Sequence, residues 1–166
     1  MKKPLKAVTF KFFDYKWERV PTWAAATEGM YRNWYLTRYG YKNLAGLKTF
    51  LKNKALILEA GCGLARDSKM FAEANPKAHM VAADQSPSAL RVAKQTLKAY
   101  PNTEVMRADV TNFAFPNKFD FISCDQVLHH TPVPHETLRH LYSHLAPGGV
   151  LNFFVCRKKN EYRDLV

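Results

Sequence analysis

A carboxylate and two glycines mark the stretch of this sequence whose residue types best suit ligand chemistry. Residues 55–58 are apolar without interruption, and Glu59, Gly61 and Gly63 follow within five positions. The apolar run is typical of a strand buried on both faces of a parallel sheet. Glycine allows positive φ and a close approach of a ligand to the main chain. A helix beginning near Leu64 would direct its free N–H groups at that ligand.

A second carboxylate has the spacing expected of a ribose-binding residue. Asp84 ends a second apolar run, residues 79–83, and lies 21 positions after Gly63. In doubly wound sheets, ligands bind at the carboxyl ends of the strands, and an acidic residue at this spacing accepts hydrogen bonds from ribose hydroxyls. Glu59 and Asp84 would then lie at the ends of adjacent strands. The pattern predicts a nucleotide-like ligand, although two glycines after a strand also suit an ordinary turn.

This pattern is compatible with two classes of nucleotide ligand. The dinucleotide fingerprint places glycine at the first, third and sixth positions, but the sixth position counted from Gly61 is Arg66. Binding of a nicotinamide dinucleotide by an oxidoreductase is therefore disfavoured, and it is kept as an alternative.

Five segments resemble motifs of the class I S-adenosylmethionine-dependent methyltransferases. Glu-Ala-Gly-Cys-Gly at residues 59–63 resembles motif I of that family, and four later segments follow in the family's order: residues 81–86, 107–110, 119–130 and 145–151. The resemblance implies a Rossmann-like doubly wound α/β fold whose parallel sheet has the strand order 3-2-1-4-5. Ala65 stands where the family often has a third glycine.

The resemblance also implies S-adenosylmethionine as cofactor and a set of contact residues. Asp84 is implied to bind the ribose, and Asp109 lies in the segment whose aspartate meets the adenine amino group. The full predicted cofactor set is Glu59, Gly61, Cys62, Gly63, Arg66, Asp84, Gln85, Asp109, Val110 and Asp125.

His129 and His130 are the candidate catalytic bases, because they follow the fourth strand at the ligand end of the sheet. Methyl transfer requires alignment, exclusion of water and, for some acceptors, removal of a proton, and histidine titrates near neutral pH. A role for this pair in shaping the loop is the alternative. Cys62, Cys124 and Cys156 are too scattered to suggest a disulfide framework or a Cys-x-x-Cys metal site, so no metal is predicted.

The acceptor class is narrowed by motifs that the sequence lacks. Residues 124–127 read Cys-Asp-Gln-Val, where methyltransferases of exocyclic base amines carry an Asn/Asp-Pro-Pro-aromatic motif. The motifs are most similar to the group that methylates small molecules and lipid-linked intermediates, so we predict such an acceptor. Two alternatives remain: an RNA methyltransferase, and a non-catalytic cofactor-binding subunit or fragment.

Charge and aromatic residues distinguish residues 1–54 from the rest of the chain. Lys and Arg outnumber Asp and Glu by 12 to 3 in this segment, whereas the two classes balance at 9 each in residues 55–155. The segment also holds 12 of the 22 aromatic residues, so it is predicted to form a basic, aromatic-rich cap or arm. Such a segment attracts phosphates, including those of nucleic acid.

No run of apolar residues in the sequence is long enough for a membrane span, and the first residues lack the apolar region of a signal peptide. These features favour a cytoplasmic location.

The elements that would position these residues alternate between strands and helices. Residues 5–17 alternate loosely and predict a short strand or extended arm, and helices are predicted over residues 23–39 and 44–51. Strands are predicted over 55–58, 79–83, 104–107, 119–124 and 150–156, and helices over 65–74, 87–100 and 134–145. Residues 55–166 would form an incomplete methyltransferase domain, because the family's last two strands do not fit after Cys156. The exposed edge of strand five would then favour pairing with another chain, including a second copy.

Overall fold

The computed structural model describes residues 5–20 and 22–156. Three helices precede the sheet: α1 (Leu5–Arg19), α2 (Trp23–Arg38) and α3 (Leu44–Leu51). Strands and helices then alternate as β1 (Leu56–Ala60), α4 (Arg66–Ala74), β2 (His79–Asp84), α5 (Pro87–Thr96), β3 (Thr103–Arg107), β4 (Phe119–Asp125), α6 (Pro134–Ser143) and β5 (Leu145–Phe154). A short 3₁₀ turn, Leu128–His130, follows β4.

The five strands form one parallel sheet in the order β3-β2-β1-β4-β5. This confirms the predicted doubly wound fold and its strand order. β1 lies at the centre and pairs Glu59 with Ala82 of β2 and with Ser123 of β4. The carboxyl ends of β1, β2 and β4 therefore meet at one edge of the sheet, where Glu59, Asp84 and Asp125 lie.

Successive side chains of each central strand point to opposite faces of the sheet. Apolar side chains on both faces therefore pack against helices. Ile57 packs on one face with Leu47 of α3 and Phe71 of α4. Leu58 packs on the opposite face with Leu141 of α6. Burial on both faces explains why the central strands are continuous apolar runs in the sequence.

The prediction of a strand or extended arm at residues 5–17 is wrong, because this segment is the helix α1. Phe10, Phe13 and Trp17 are spaced by three and four residues and so lie on one face of a helix. All three are half-buried and line the same cavity, so the helical period describes this segment and the loose alternation of Val8, Phe10 and Phe12 does not.

Three predicted boundaries also differ from the structure. α5 ends at Thr96 and not at residue 100, and α6 ends at Ser143. β5 begins at Leu145, earlier than predicted, and its register against β4 shifts between Phe119 and Phe121. Its outer edge has no neighbouring strand within residues 5–20 and 22–156.

Among the described residues, none of the helices has the length and apolar character needed to cross a bilayer.

Candidate functional site

The turn after β1 folds over the end of β2. The N–H groups of Gly61 and Cys62 both donate to the carbonyl oxygen of Ala83, at 2.8 and 2.9 Å. Gly61 has φ +84°, and a Cβ there would lie 2.4 Å from a methyl group of Val127. No larger residue fits at this position without displacing Val127, so glycine is required for the tight turn.

Asp84 connects this turn to the N-terminus of α5. Its Oδ2 accepts a hydrogen bond from the N–H of Gly63 at 2.9 Å, and its Oδ1 accepts one from the N–H of Ser86 at 2.9 Å. Burial raises the pKa of the Asp84 carboxyl, and the hydrogen bonds from Ser86 and Gly63 oppose that shift. The carboxylate is thus held in one orientation at the strand ends.

A buried pair of carboxyl groups lies below the glycine turn. Glu59 accepts a short hydrogen bond from the hydroxyl of Ser68. Burial is the main reason why the pKa of Glu59 lies well above its ordinary value, and the nearby charge of Asp67 raises this pKa further. Burial also raises the pKa of Asp67, whereas the charge of Arg66 opposes that shift. The Arg66 guanidinium donates to both carboxylate oxygens of Asp67, at 3.0 and 3.2 Å, and lies 4.0 Å from the Tyr31 ring centroid.

Helix α1 forms the opposite side of the site and is attached to α5 through one carboxylate. Asp14 Oδ1 accepts hydrogen bonds from the Ser86 hydroxyl at 2.6 Å and from the Ser88 N–H at 3.0 Å. The hydrogen bond from Ser86 lowers the pKa of Asp14. A carboxylate at a helix N-terminus is stabilised by the free N–H groups and the helix dipole. One turn along, Trp17 lies against Gly63, with its nearest ring atom 3.4 Å from the position of a Cβ on that glycine.

These two sides enclose a cavity of about 250 Å³. It is lined by every residue of the predicted cofactor set: Glu59, Gly61, Cys62, Gly63, Arg66, Asp84, Gln85, Asp109, Val110 and Asp125. The helical side contributes residues that the sequence analysis had not assigned individually: Thr9, Phe10, Phe13, Lys16, Trp17 and Tyr31. Two signals in the sequence pointed to this side: the many aromatic and basic residues of residues 1–54, and the helical spacing of Phe10, Phe13 and Trp17.

Asp125 lines the cavity but is also bound by α2 and its C-cap. Its Oδ1 accepts from Arg38 Nη1 at 2.5 Å and from the Tyr39 hydroxyl at 2.8 Å. The Arg38 guanidinium lies over the rings of Trp34 and Phe154, at 4.4 and 3.8 Å from their centroids. Asp125 therefore ties α2 to the end of β4.

The two candidate histidines occupy different environments. His130 lines the cavity, and its ring meets that of Phe13 edge-to-face with 4.7 Å between centroids. His129 does not line the cavity, and its Nδ1 lies 3.4 Å from the N–H of Cys156, which donates to it. Within the described residues there is no cluster of three His, Cys, Asp or Glu side chains that would suit a metal ion.

Two methyltransferases are similar to this chain in sequence. The trans-aconitate 2-methyltransferase of Azoarcus sp. (strain BH72) is 33% identical over 111 residues, which cover 67% of this chain and 43% of that protein. The demethylmenaquinone methyltransferase of Listeria welshimeri is 32% identical over 99 residues, which cover 57% of this chain and 42% of that protein. This chain spans less than half the length of these relatives.

Solved structures share the fold. The N-methyltransferase NodS of Bradyrhizobium japonicum, in complex with S-adenosylhomocysteine, has a TM-score of 0.59 at 24% identity, over 70% of this chain and 60% of that chain. The S-adenosylmethionine-bound amino pentose methyltransferase CalS10 of Micromonospora echinaspora has a TM-score of 0.58 at 22% identity, over 72% and 54%. Residues 58–151, more than half of the chain, match the family described as a methyltransferase domain, and the chain therefore belongs to that family.

Proposed function

We propose that this chain binds S-adenosylmethionine in the cavity between α1 and the strand ends, and transfers its methyl group to a small-molecule or lipid-linked acceptor. The observation that carries the proposal is the placement of Asp84 at the end of β2, hydrogen-bonded to Gly63 of the turn after β1. A carboxylate beside a glycine turn suits a ribose diol, because each carboxylate oxygen accepts more than one hydrogen bond.

The residues of the site fit the polar groups of this cofactor. S-adenosylmethionine carries a ribose diol, a positively charged sulfonium and an amino acid group. The site offers the Asp84 carboxylate for the diol and the buried carboxyl groups of Glu59 and Asp67 near the turn. Because burial raises the pKa of Glu59 and of Asp67, a bound cation would favour their ionised forms. The cavity volume of about 250 Å³ lies just below the roughly 300–1,000 Å³ of typical ligand sites.

We assign roles to the remaining predicted residues on the same basis. Gly61, Cys62 and Gly63 would bring backbone groups close to the ligand, and Gln85 follows Asp84 at the ribose. Asp109 and Val110 would contact the base. When bound, the cofactor supplies the electrophilic methyl group, and the aromatic side chains of α1 would exclude water from it.

His130 is the better of the two candidate proton acceptors. It lines the cavity, whereas His129 does not. A general base must reach the proton that it removes, directly or through one water. We therefore propose that His130 accepts a proton from the acceptor and that His129 supports the turn after β4.

The acceptor class is supported by the relatives and by the wall that α1 and α2 provide. Two relatives are named for trans-aconitate and demethylmenaquinone, which are small molecules. The α1 side of the cavity is lined by Phe10, Phe13 and Trp17, and these rings suit an acceptor with apolar surface.

Calorimetric titration with S-adenosylmethionine, S-adenosylhomocysteine and NAD tests the cofactor. We expect micromolar binding of the first two compounds and none of NAD. Binding of NAD alone would favour an oxidoreductase, and binding of none of the three would contradict the proposal. A positive result would lead to a screen of acceptors with a tritiated methyl donor.

The outer edge of β5 is the surface through which we propose that two copies associate. Unpaired strand edges offer backbone donors and acceptors to a second strand. Light scattering after size-exclusion chromatography tests this proposal, and a monomeric mass at micromolar concentration would contradict it.

A further inference from the structure

Helix α1 carries aromatic residues on two sides, and one of these sides faces away from the cavity. Phe10, Phe13 and Trp17 line the cavity. Phe12 and Tyr15 lie on the other side of the helix, where they are 60% and 56% exposed. Single exposed apolar residues are common on protein surfaces, but neighbouring ones on one side of a helix indicate a surface that contacts another molecule.

Basic side chains surround these two rings on α1. Lys11 and Arg19 are exposed, and the Arg19 guanidinium lies 4.3 Å from the centroid of the Tyr15 ring. Among the described residues of α1, Glu18 is the one exposed carboxylate. This side of the helix therefore combines apolar rings with positive charge.

Helix α5 packs against α1 and adds further positive charge. Lys94 is exposed on α5, and the exposed Lys98 follows directly after this helix. Residues 85–103 contain no acidic residue. Asp14 of α1 is hydrogen-bonded to the start of α5, so the two helices are joined. We call the combined region the basic aromatic surface; it comprises Lys11, Phe12, Tyr15, Arg19, Lys94 and Lys98.

A bilayer that contains anionic lipids matches both features of this surface. Aromatic rings are favoured at the level of the lipid headgroups, and Lys and Arg side chains are attracted to the lipid phosphates. Single-stranded nucleic acid also binds basic and aromatic residues, but it stacks its bases on open ring faces. The Arg19 guanidinium covers a face of the Tyr15 ring, which favours the lipid surface over a base.

We propose that the basic aromatic surface docks this chain on a bilayer that contains anionic lipids. Phe12 and Tyr15 insert at the level of the headgroups, and the four basic side chains contact lipid phosphates. The inference goes beyond the proposed function, because docking requires neither a cofactor nor an acceptor. The opposite side of α1 lines the cavity, so docking would place the site beside the bilayer and favour the lipid-linked kind of acceptor.

Co-sedimentation of the purified chain with lipid vesicles tests this inference. We expect binding to mixed vesicles of phosphatidylglycerol and phosphatidylcholine, none to vesicles of phosphatidylcholine alone, and weaker binding as salt is added. The double variant Phe12→Ser, Tyr15→Ser should bind the mixed vesicles roughly tenfold or more weakly, since burial of one large apolar side chain already has an effect of this size. Lys94→Gln together with Lys98→Gln should weaken binding by roughly fivefold for each charge removed.

Each double variant has a matched control elsewhere on the chain. Tyr142→Ser removes an exposed ring from α6. Lys48→Gln together with Lys52→Gln removes two exposed charges, also four residues apart, at α3. Both controls should bind the mixed vesicles more tightly than the variants that they match, and thermal unfolding should show that all four proteins fold.

Several results would overturn the inference. These are no binding to the mixed vesicles, equal binding to both kinds of vesicle, and an equal loss in a double variant and its control. Binding of a single-stranded RNA oligomer in place of the vesicles would also overturn it and would identify nucleic acid as the partner. Calorimetry with S-adenosylhomocysteine tests the proposed function without vesicles, so the two proposals can fail separately.

Discussion

The two walls of the cavity are built in different ways. On the sheet wall, the Gly61 N–H donates to the backbone carbonyl of Ala83 and the Gly63 N–H donates to the Asp84 carboxylate, so the ends of β1 and β2 are joined. On the helical wall, Phe13 and Lys16 lie on α1, and Asp14 of this helix is hydrogen-bonded to Ser86 and Ser88 at the start of α5. In the first arrangement each strand end is hydrogen-bonded to its neighbour, and the sheet itself holds the strands together. The second is a single element whose position depends on a few side-chain contacts.

This difference separates the roles that we assign to the walls. Groups on the sheet wall are held by hydrogen bonds within the ligand-free fold, and such preorganisation lowers the cost of binding a ligand. Groups on α1 reach the ligand only while α1 stays in place, so they are suited to closing the site and to shaping the acceptor region. Variants on the sheet wall should therefore affect cofactor affinity most, and variants of the α1 anchor should affect its dissociation rate.

Asp84→Ala should have the largest effect on cofactor binding. We expect the free energy of binding of S-adenosylhomocysteine to become less favourable by about 1–3 kcal/mol, because a hydrogen-bond acceptor for the ribose is lost. Stability should fall as well, since the N–H groups of Gly63 and Ser86 lose their partner. Calorimetry measures the first effect and thermal unfolding the second. Glu104→Ala, an exposed change on β3, is the control; unchanged affinity in Asp84→Ala would refute the assigned ribose site.

Glu59→Gln should weaken cofactor binding and stabilise the ligand-free chain. The pKa of Glu59 is raised in the folded state, so the folded chain binds this proton more tightly than the unfolded chain. Stability contributed by that proton is lost as pH rises through the folded pKa. Glutamine does not titrate, and its side-chain oxygen still accepts from Ser68. The melting temperature of the variant should exceed that of the wild type by roughly 2–4 °C per kcal/mol of stabilisation.

Unfolding curves of both proteins between pH 5 and pH 8 measure this effect. The difference should be small at pH 5 and should grow as pH rises. A difference that shrinks with rising pH would show that Glu59 is stabilised as a carboxylate in the folded state.

Asp14→Asn should have a smaller, kinetic effect. It weakens the attachment of α1 to α5, because the charge that faces Ser86 and the Ser88 N–H is removed. We expect S-adenosylhomocysteine to dissociate roughly 2- to 5-fold faster, in line with a weak, partly exposed charge interaction. Stopped-flow tryptophan fluorescence follows the dissociation, because Trp17 lines the cavity. Glu18→Gln, an exposed change on the same helix, is the matched control, and equal rates in the two variants would argue against the anchor.

Ala65→Gly should have the smallest effect and concerns stability alone. Ala65 precedes α4 with φ +59°, a left-handed conformation that costs an L-residue energy and that glycine adopts freely. We expect a gain of about 0.5–1 kcal/mol, measured by urea unfolding. A loss of stability would show that packing of the buried Ala65 methyl group outweighs the backbone strain.

Local patterns in the sequence predicted the sheet wall well. The apolar run before Glu59, the glycines and the acidic end of β2 are adjacent in sequence to the strands that carry them, so their spacing predicts their placement. The structure brings the whole predicted cofactor set to one cavity. The roles of its members remain predictions that the variants above test.

The helical wall could not be predicted in the same way. In α1, Val8, Phe10 and Phe12 suggest the period of a strand, while Phe10, Phe13 and Trp17 have the period of a helix. Only the tertiary contacts decide between them. The partner of Asp14, Ser86, lies 72 residues away, and no local pattern in the sequence signals such a pairing.

The most direct test of the central claim is a crystal structure of the chain with S-adenosylhomocysteine. We predict that the ligand lies between α1 and the strand ends, with its ribose hydroxyls within hydrogen-bond distance of Asp84 and its base beside Asp109 and Val110. A ligand bound away from the glycine turn, or bound there without contact between its ribose and Asp84, would contradict this account.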